Sequence, residues 1–395
     1  MRCLSATPPR RHPLPRLLFI LKHRDAPWGS PYGYGGPYHL SSGLRNSVRF
    51  VVELLDLLGI PAKMVEVIDN NAIDAEVTRY QPTHCIIEAL WVVPDKFDVL
   101  KRLHPHVSWI VRNHSEVPFL ANEGIAMAWF AGYLQRGVEI ACNSERMLSD
   151  MKIVGQAVGV PNLISYMPNY YPVHLAPDVD HLQPHLPHAD DTIRIGCFGA
   201  IRPLKNHLSQ ALAALQYSHR IGKKLEFYIN ASRIEGGGNQ ILNNLRGLFA
   251  ATPRARLVEQ GWLDHEKFLE LLEQMDLCLQ VSFTETFNIV SADAVFCSVP
   301  VVVSSEVSWM GNYAVADPNS VHDIVQRMLA ITPNNRANWL MSQWRDLSLY
   351  GAHARKIWFD RFGFGAPMFA ERGNRARAMA GAMSPRHFAL STHRR

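Results

Sequence analysis

Two acidic residues, Glu285 and Asp293, lie eight positions apart, after an apolar run at residues 277–281. The run is typical of a buried strand, and residues 287–296 have a helical composition. Eight residues of helix rise about 12 Å, roughly the distance from the hexose to the ribose of a nucleotide sugar. Glu285 is therefore predicted to meet sugar hydroxyls and Asp293 the ribose diol, with the free amides at the helix start facing the diphosphate. The alternative is a helix that Thr284 or Glu285 caps, with Asp293 in solvent.

A second candidate site is the turn from Gly199 to Asn206, which contains Arg202 and Lys205. It follows a predicted strand and leads into a helix, so backbone amides and two cations converge where an anion could bind. Arginine makes bidentate contacts to phosphate, and lysine acts as a point charge. The alternative is that both cations serve only solubility. The glycine turn at the carboxyl end of a strand favours the anion site.

His114 follows a strand predicted at residues 107–111, at the edge where open α/β sheets bind ligands. That position makes it a candidate substrate contact, against the alternative of a bystander. A looser glycine cluster contains Gly33, Gly35 and Gly36 and supports no specific cofactor.

No metal or cofactor is predicted. Four histidines within residues 171–191 have no framework or partner spacing typical of zinc sites. Asp178 and Asp180 form a D-x-D sequence, but they lie among prolines rather than after a buried strand. Neither a Walker loop nor a G-x-G-x-x-G sequence follows a predicted strand.

Strand-like and helical runs alternate over residues 16–141 and again over residues 192–304. Such alternation predicts an α/β fold with two doubly wound, Rossmann-like domains, each built on a parallel sheet. Prolines at four positions of the intervening segment deny it regular structure. The predicted order is a basic tail (1–16), an N-terminal acceptor domain (17–170), a linker (171–191), a C-terminal donor-binding domain (192–345), a closing helical segment (346–370) and a second basic tail (371–395).

The 395-residue chain is 47% hydrophobic, enough for two cores, and its net charge of +5 comes from its ends. Six arginines stand against one glutamate in residues 371–395, and four arginines without an acid in residues 1–16. The body between them is slightly acidic, which disfavours a broad duplex-binding face. We expect solvated tails, with weak attraction to nucleic acid or anionic lipid as the alternative.

Six cysteines without a C-x-x-C pair indicate a reducing compartment, and we expect a cytoplasmic protein. No apolar run has the length of a membrane span. The apolar core at residues 17–21 is too short for a signal peptide and is interpreted as the first strand. Residues 96–102 could dock on a membrane, but an ordinary amphipathic helix packed on the sheet is the favoured interpretation.

On these motifs, residues 17–365 resemble the GT-B-fold, retaining glycosyltransferases of family 4 and its relatives. That family has a Glu-x7-Glu motif, which Glu285 and Asp293 resemble with a second acid one methylene shorter. Gly199 and Lys205 keep the spacing of its diphosphate turn, with Ala200 in place of the usual arginine.

The resemblance implies the remaining site residues. Gly35 and Gly36 would form a loop near donor and acceptor, and the turn at Gly261 and Trp262 would hold the nucleobase. The implied catalytic residues are Glu285, His114, Lys205 and Arg202. The implied donor-binding residues are Gly199, Arg202, Lys205, Asn206, Gly261, Trp262, Thr286, Phe287, Asn288 and Asp293.

The family mechanism implies a hexosyltransferase that moves a sugar from a nucleoside diphosphate, UDP among the candidates, to an acceptor hydroxyl with retention. Neither a metal nor a protein nucleophile is implied. The acceptor, the nucleotide and the oligomeric state stay open. One alternative is a phage-type transferase acting on hydroxymethylated DNA bases, supported only by the basic tails. Another is a non-catalytic protein that binds sugar nucleotides, which Ala200 and Asp293 would suit.

Overall fold

Two parallel sheets with helices packed on both faces form the part of the chain that the structure describes. The structure is a computed structural model that describes residues 15–22, 43–173 and 190–362. The predicted glycine loop, with Gly35 and Gly36, lies outside these residues, as do residues 1–14 of the first basic tail, the whole second tail and most of the linker. The doubly wound α/β architecture predicted from the sequence is confirmed.

The first sheet has six strands in the order β2-β1-β3-β4-β5-β6, and every pairing is parallel. Its strands are β1 (Leu17–Lys22), β2 (Ala62–Val67), β3 (His84–Glu88), β4 (Ser108–Asn113), β5 (Glu139–Cys142) and β6 (Ile164–Tyr166). Its helices are α1 (Gly43–Leu57), α2 (Ala72–Tyr80), α3 (Lys96–Leu103), α4 (Val117–Leu120), α5 (Ala126–Gln135) and α6 (Glu145–Val158).

The second sheet has five strands in the order β11-β10-β7-β8-β9, again all parallel. Its strands are β7 (Thr192–Gly196), β8 (Lys224–Asn230), β9 (Ala255–Gln260), β10 (Leu277–Gln280) and β11 (Val301–Val303). The helices that follow them are α7 (His207–Arg220), α8 (Gly238–Ala250), α9 (His265–Leu272), α10 (Ile289–Phe296) and α11 (Val321–Leu329).

Strand β1 shows why these runs form central strands. Leu18 and Ile20 enter one hydrophobic cluster, whereas Leu17 and Phe19 enter another on the opposite face. A strand buried on both faces needs a continuous apolar run rather than an alternating one, and parallel sheets covered by helices have this property.

Helix α12 (Arg336–Arg361) joins the two halves. Its first half packs into the core of the second sheet through Trp339 and Leu347, and its end packs on the first sheet through Trp358. The Trp358 indole N–H donates to the carbonyl of Pro168 at 2.9 Å. The helix therefore holds the carboxyl edges of both sheets on a common cleft.

Two predicted element boundaries were wrong. Strand β4 runs on to Asn113, so Arg112 lies inside the buried sheet and not in the loop after it. Helix α10 begins at Ile289, because Asn288 adopts a left-handed conformation (φ 56°) and caps the helix by accepting a hydrogen bond from the amide of Ser291. Glu285 is therefore in a loop, and the spacing of the acid pair is not a helical rise.

Candidate functional site

A cavity of about 270 Å³ lies between the two sheets, at the carboxyl ends of their strands. Its lining residues are Gly43, Leu44, Asn46, Ser47, His114, Asn169, Gly199, Ala200, Arg202, Lys205, Asn230, Arg233, Glu235, Trp262, Leu263, His265, Phe268, Glu285, Thr286, Asn288, Ile289, Val290 and Asp293. The predicted site residues among them are His114, Gly199, Arg202, Lys205, Trp262, Glu285, Thr286, Asn288 and Asp293.

The turn after β7 forms the floor of the cavity. Gly199 has a φ of 118°, which strains a residue with a side chain, and its N–H donates to Asn230 Oδ1 at 2.9 Å. A backbone bridge pairs Ile201 with Ile234, in the loop after β8. The bridge brings the cationic side chains of the two loops together.

Arg202 and Arg233 share the carboxylate of Glu235. The nitrogen–oxygen distances are 3.2 Å from Arg202 and 2.7 Å from Arg233. Arg202 also stacks on the ring of Phe119, 4.6 Å from its centroid, and so reaches across to the first domain. Arg233 lies over Trp262 at 4.9 Å. Two guanidinium groups thus stand side by side on the cavity wall, held by a carboxylate and by aromatic faces.

Lys205 pairs with Glu285, with 2.5 Å between Nζ and Oε1. Both predicted catalytic residues therefore lie on the same wall, although 80 positions separate them. His207, the first residue of α7, follows this turn, and its buried ring has no hydrogen-bond partner among the described residues. Burial, with help from Lys205 and Arg202, lowers the pKa of His207 to about 3.

His114 lies at the carboxyl end of β4, as predicted, but its ring is engaged by its own domain. Nε2 hydrogen-bonds to the buried carboxylate of Glu88, and Nδ1 is 3.3 Å from the amide nitrogen of Asn143. Burial lowers the pKa of His114, and Arg112 lowers it further, while Glu88 acts in the opposite direction. A neutral ring therefore faces the cavity at neutral pH.

Glu88 and Arg112 form an ion pair with no solvent exposure behind that ring. Burial alone would raise the pKa of Glu88, but Arg112 and His114 outweigh it and hold the pKa below its ordinary value. Arg112 also donates to the carbonyl of Met167 at 2.8 Å and to Asn169 Oδ1 at 2.6 Å. The guanidinium group of Arg112 is therefore bound by partners within its own domain.

Asp293 is only 2% exposed, so the alternative that places it in solvent is wrong. Tyr171 donates to Oδ1 at 2.7 Å, and His265 Nε2 lies 2.8 Å from the same oxygen. Burial, and then the neighbouring Asp293, raises the pKa of Tyr171 well above its ordinary value, so its hydroxyl stays a donor. The carboxylate is a fixed acceptor at the edge of the cavity.

The first domain supplies a neutral polar wall. Asn46 and Ser47, in the first turns of α1, line the cavity together with Asn169. Asn169 Nδ2 is 3.5 Å from Ser47 Oγ. The buried Oδ1 of Asn46 has no hydrogen-bond partner among the described residues. Hydroxyl donors of a ligand would satisfy such an oxygen.

The two walls touch around Thr286. Asn143 of the first domain donates to Thr286 Oγ1 at 3.1 Å, and that hydroxyl lies 3.3 Å from the carbonyl of His114. Arg146 of α6 pairs with Glu306 of the second domain at 2.6 Å. These contacts join the two domains beside the cavity.

Three predicted residues do not line the cavity. The amide of Asn206 donates to the carbonyls of Val281 and Pro318, which makes it a structural link. Phe287 is buried and stacks on Tyr350. Gly261 lies just after β9 and is not part of the lining. Their predicted roles in donor binding stay predictions.

Sequence reasoning missed Arg233, Glu235, His265 and Asn46. Arg233 follows the carboxyl end of a predicted strand, which is the signal that identified His114, so the sequence could have predicted Arg233 as well. The others depend on contacts between distant elements.

In the described ranges, no group of three or more His, Cys, Asp or Glu side chains is placed to hold a metal ion. No helix there is long and apolar enough to span a membrane. The five cysteines that the structure describes are free thiols.

No protein-family model and no curated protein sequence matches the chain. Solved structures do match. The α,α-trehalose-phosphate synthase (UDP-forming) of Burkholderia vietnamiensis aligns at a TM-score of 0.58 and 10% identity, over 93% of this chain and 99% of that one. Sucrose-phosphate synthase of Thermosynechococcus elongatus aligns at a TM-score of 0.57 and 14% identity, over 93% of this chain and 100% of that one.

HepE of Anabaena, in complex with UDP and glucose, aligns at a TM-score of 0.54 and 13% identity, over 87% of this chain and 97% of that one. At such identities the similarity establishes the fold. The chain has the GT-B arrangement, and the predicted fold class is confirmed.

Proposed function

We propose that the protein is a glycosyltransferase that moves a sugar from a nucleoside diphosphate to an acceptor hydroxyl with retention of configuration. One observation carries the proposal. Arg202, Lys205 and Arg233 converge on one wall of the interdomain cavity, each already paired with a carboxylate that an incoming diphosphate could displace or share. In a cleft closed around the ligand, three cations would stabilise a leaving diphosphate far more than they would in bulk water.

The remaining geometry assigns roles along the donor. Glu285, beside Lys205, would accept hydrogen bonds from the transferred sugar, and Asp293 from the ribose. Trp262, backed by Arg233, offers an aromatic face for the nucleobase. His114 offers a neutral ring edge near the transferred sugar. The complexes of HepE with UDP and with UDP-glucose support a uridine diphosphate hexose as the first donor to test.

In the proposed reaction, the bond between the anomeric carbon and the diphosphate oxygen breaks, and both bonding electrons stay with the diphosphate. The acceptor oxygen then bonds to the anomeric carbon on the face that the diphosphate left. The acceptor proton passes to a diphosphate oxygen, so no protein nucleophile is used. Because protein cations supply the positive charge, we expect transfer to persist in EDTA. A cytoplasmic location stays a prediction.

The test is thermal unfolding with UDP, GDP, ADP and their glucose or mannose derivatives. Ligand at a hundred times its dissociation constant stabilises the folded state by about 2.7 kcal/mol. We expect one nucleotide family to stabilise the wild type and the control Lys152→Ala, an exposed lysine of α6, but not Lys205→Ala. If no nucleotide stabilises the wild type, the proposal fails, and the similarity to the solved structures is a similarity of fold alone.

A transfer assay separates the proposal from the alternatives. Glu285→Gln should abolish most transfer while nucleotide binding survives. Nucleotide binding without transfer to any acceptor would favour the non-catalytic protein. Transfer to hydroxymethylated duplex DNA, lost on removal of residues 371–395, would favour the DNA-modifying enzyme.

A further inference from the structure

The loop that carries Glu285, between β10 and α10, is held at both ends by the second domain. Near its start, the amide of Phe283 donates to the carbonyl of Leu204 at 2.9 Å. Near its end, the carbonyl of Phe287 accepts a hydrogen bond from the indole N–H of Trp309 at 2.6 Å. The part of the loop between these two anchors contains the acid that the proposed function places on the transferred sugar.

The middle of this loop, Glu285 and Thr286, is held by the first domain instead. Arg146, in the first turn of α6, donates from Nη2 to the carbonyl of Glu285 at 3.3 Å. Thr286 Oγ1 accepts from the side-chain amide of Asn143 at 3.1 Å and donates to the carbonyl of His114, 3.3 Å away. The position of the acid in the cleft therefore depends on contacts that cross between the domains.

Arg146 is fixed by one carboxylate in each domain. In the first domain, its Nε lies 3.3 Å from Oε2 of Glu116, which is buried and whose other oxygen accepts from the hydroxyl of Ser144. In the second domain, Glu306 accepts from Nη1 at 3.0 Å and from Nη2 at 2.6 Å. A bidentate ion pair of this kind fixes the plane of a guanidinium group as well as its position. The nitrogen that reaches Glu285 is thereby oriented by groups outside the acid loop.

The carboxylate of Glu285 needs an anchor that the donor does not displace. Its ion-pair partner is Lys205. The proposed function gives Lys205 a second task, the neutralisation of the diphosphate, so its hold on Glu285 weakens when the donor binds. Arg146 holds the loop through a backbone carbonyl and is not part of the cavity lining, so its contact does not compete with the ligand.

We propose that Arg146 is a positioning residue for Glu285, which holds the acid loop where the carboxylate meets the transferred sugar. The inference rests on the proposed function and identifies the residue that orients its sugar contact. Loss of the arginine weakens the binding of the sugar. The nucleoside diphosphate, which cations of the second domain hold, binds as before.

The experiment measures what the sugar adds to donor affinity. Titration calorimetry on the full chain compares UDP with UDP-glucose, GDP with GDP-mannose and ADP with ADP-glucose. For the pair that binds, the measured ratio is the dissociation constant of the diphosphate divided by that of its sugar derivative. A hydrogen bond to a charged carboxylate contributes about 10- to 100-fold in affinity, so a displaced Glu285 should lower this ratio by about five- to tenfold.

Two substitutions of Arg146 guard against a failure to fold. Arg146→Met removes the whole group, whereas Arg146→Lys keeps a cation beside the buried Glu116. One ammonium group does not reproduce the fork that reaches both Glu306 and the loop carbonyl, so we expect the ratio to fall in both variants. The affinity for the diphosphate should stay within about threefold of the wild type. Lys152→Met, at an exposed lysine of the same helix, is the control and should keep the wild-type ratio.

A wild-type ratio in either variant of Arg146 would overturn the positioning role. Because the readout is a ratio within one variant, a general loss of stability would not change it. If none of these ligands binds the wild type, the proposed function fails and the inference fails with it. If they bind and the variants of Arg146 keep the ratio, the inference alone fails.

A double-variant cycle shows whether Arg146 acts through Glu285. Glu285→Gln should lower the ratio by itself. Arg146→Met in that background should change the ratio by less than about twofold, because the charged contact that the arginine positions is already lost. Losses that multiply, as for independent sites, would show that Arg146 acts by another route and would overturn the inference.

Discussion

The two walls of the cleft handle charge in opposite ways. On the second-domain wall, ion pairs such as Lys205 with Glu285 face the cavity directly. On the first-domain wall, the lining is amide and hydroxyl, and the ion pair of Glu88 with Arg112 lies behind it with no exposure. Both walls are polar, yet among the residues that the structure describes only the second-domain wall presents charge to a ligand.

The two walls therefore differ in what their ion pairs do: those at the cavity surface can bind a ligand, whereas the buried pair stabilises the fold. A paired cation at a cavity surface can exchange its carboxylate for phosphate, because water and ligand can replace the partner. A fully buried pair cannot, and removal of one member leaves an uncompensated charge. Ion pairs in the same cleft are thus predicted to respond to mutation in different ways.

The largest expected effect is on the buried pair. Arg112→Met should lower the free energy of unfolding by about 3–5 kcal/mol, because Glu88 loses its main counter-ion at zero exposure. Urea unfolding measures it. Arg79→Met, which removes an exposed partner of Glu76, is the matched control and should change stability by less than about 1 kcal/mol.

The same titration distinguishes the two walls. Lys205→Met should cost less stability than Arg112→Met, because Glu285 borders the open cavity and can be hydrated. Equal costs for the two variants would mean that the charge at the cavity surface is structural as well, and the distinction between the walls would fail.

A smaller effect concerns pH and the buried ring of His207, at the start of α7. The pKa of His207 is about 3 in the folded protein, below its ordinary value of 6.5. A group with a depressed pKa gives its full stability above pH 6.5 and loses it as the pH falls towards 3. At pH 5 this loss is about 2 kcal/mol.

His207→Leu removes the titrating ring, so we expect the variant to lose about 2 kcal/mol less than the wild type between pH 7 and pH 5. Urea unfolding at the two pH values checks it. His322→Leu, on α11, is the comparison for a histidine without such burial. A wild-type pH dependence retained in His207→Leu would show that other groups carry it.

The sequence predicted the parts of the site that are contiguous in the chain. The turn with Gly199, Arg202 and Lys205 was recognisable because its glycine and cations keep a short, fixed spacing. The start of α10 was predicted at Phe287, because this apolar residue continues the helical pattern. In the fold, Phe287 precedes the helix and packs on Tyr350.

What could not be predicted depends on long-range contacts. Arg202 meets Arg233 only because a bridge joins their loops. The sequence could not decide against the alternative that placed Asp293 in solvent, because the partners of Asp293, Tyr171 and His265, lie 122 and 28 positions away. Sequence patterns predict strands and turns, but they do not predict which side chains of two domains come into contact.

The smallest expected effect tests the neutral wall at Asn46. Its buried Oδ1 lacks a partner in the described part of the chain, so Asn46→Leu, of similar size, should leave stability within about 1 kcal/mol of the wild type. If this wall serves the acceptor, the variant should bind the donor nucleotide within about threefold of the wild type while transfer falls by about fivefold to tenfold, the contribution of one hydrogen bond. Calorimetry and the transfer assay measure the two quantities separately. A loss of nucleotide affinity as large as that of Lys205→Ala would place Asn46 on the donor, and the two walls would then share one ligand.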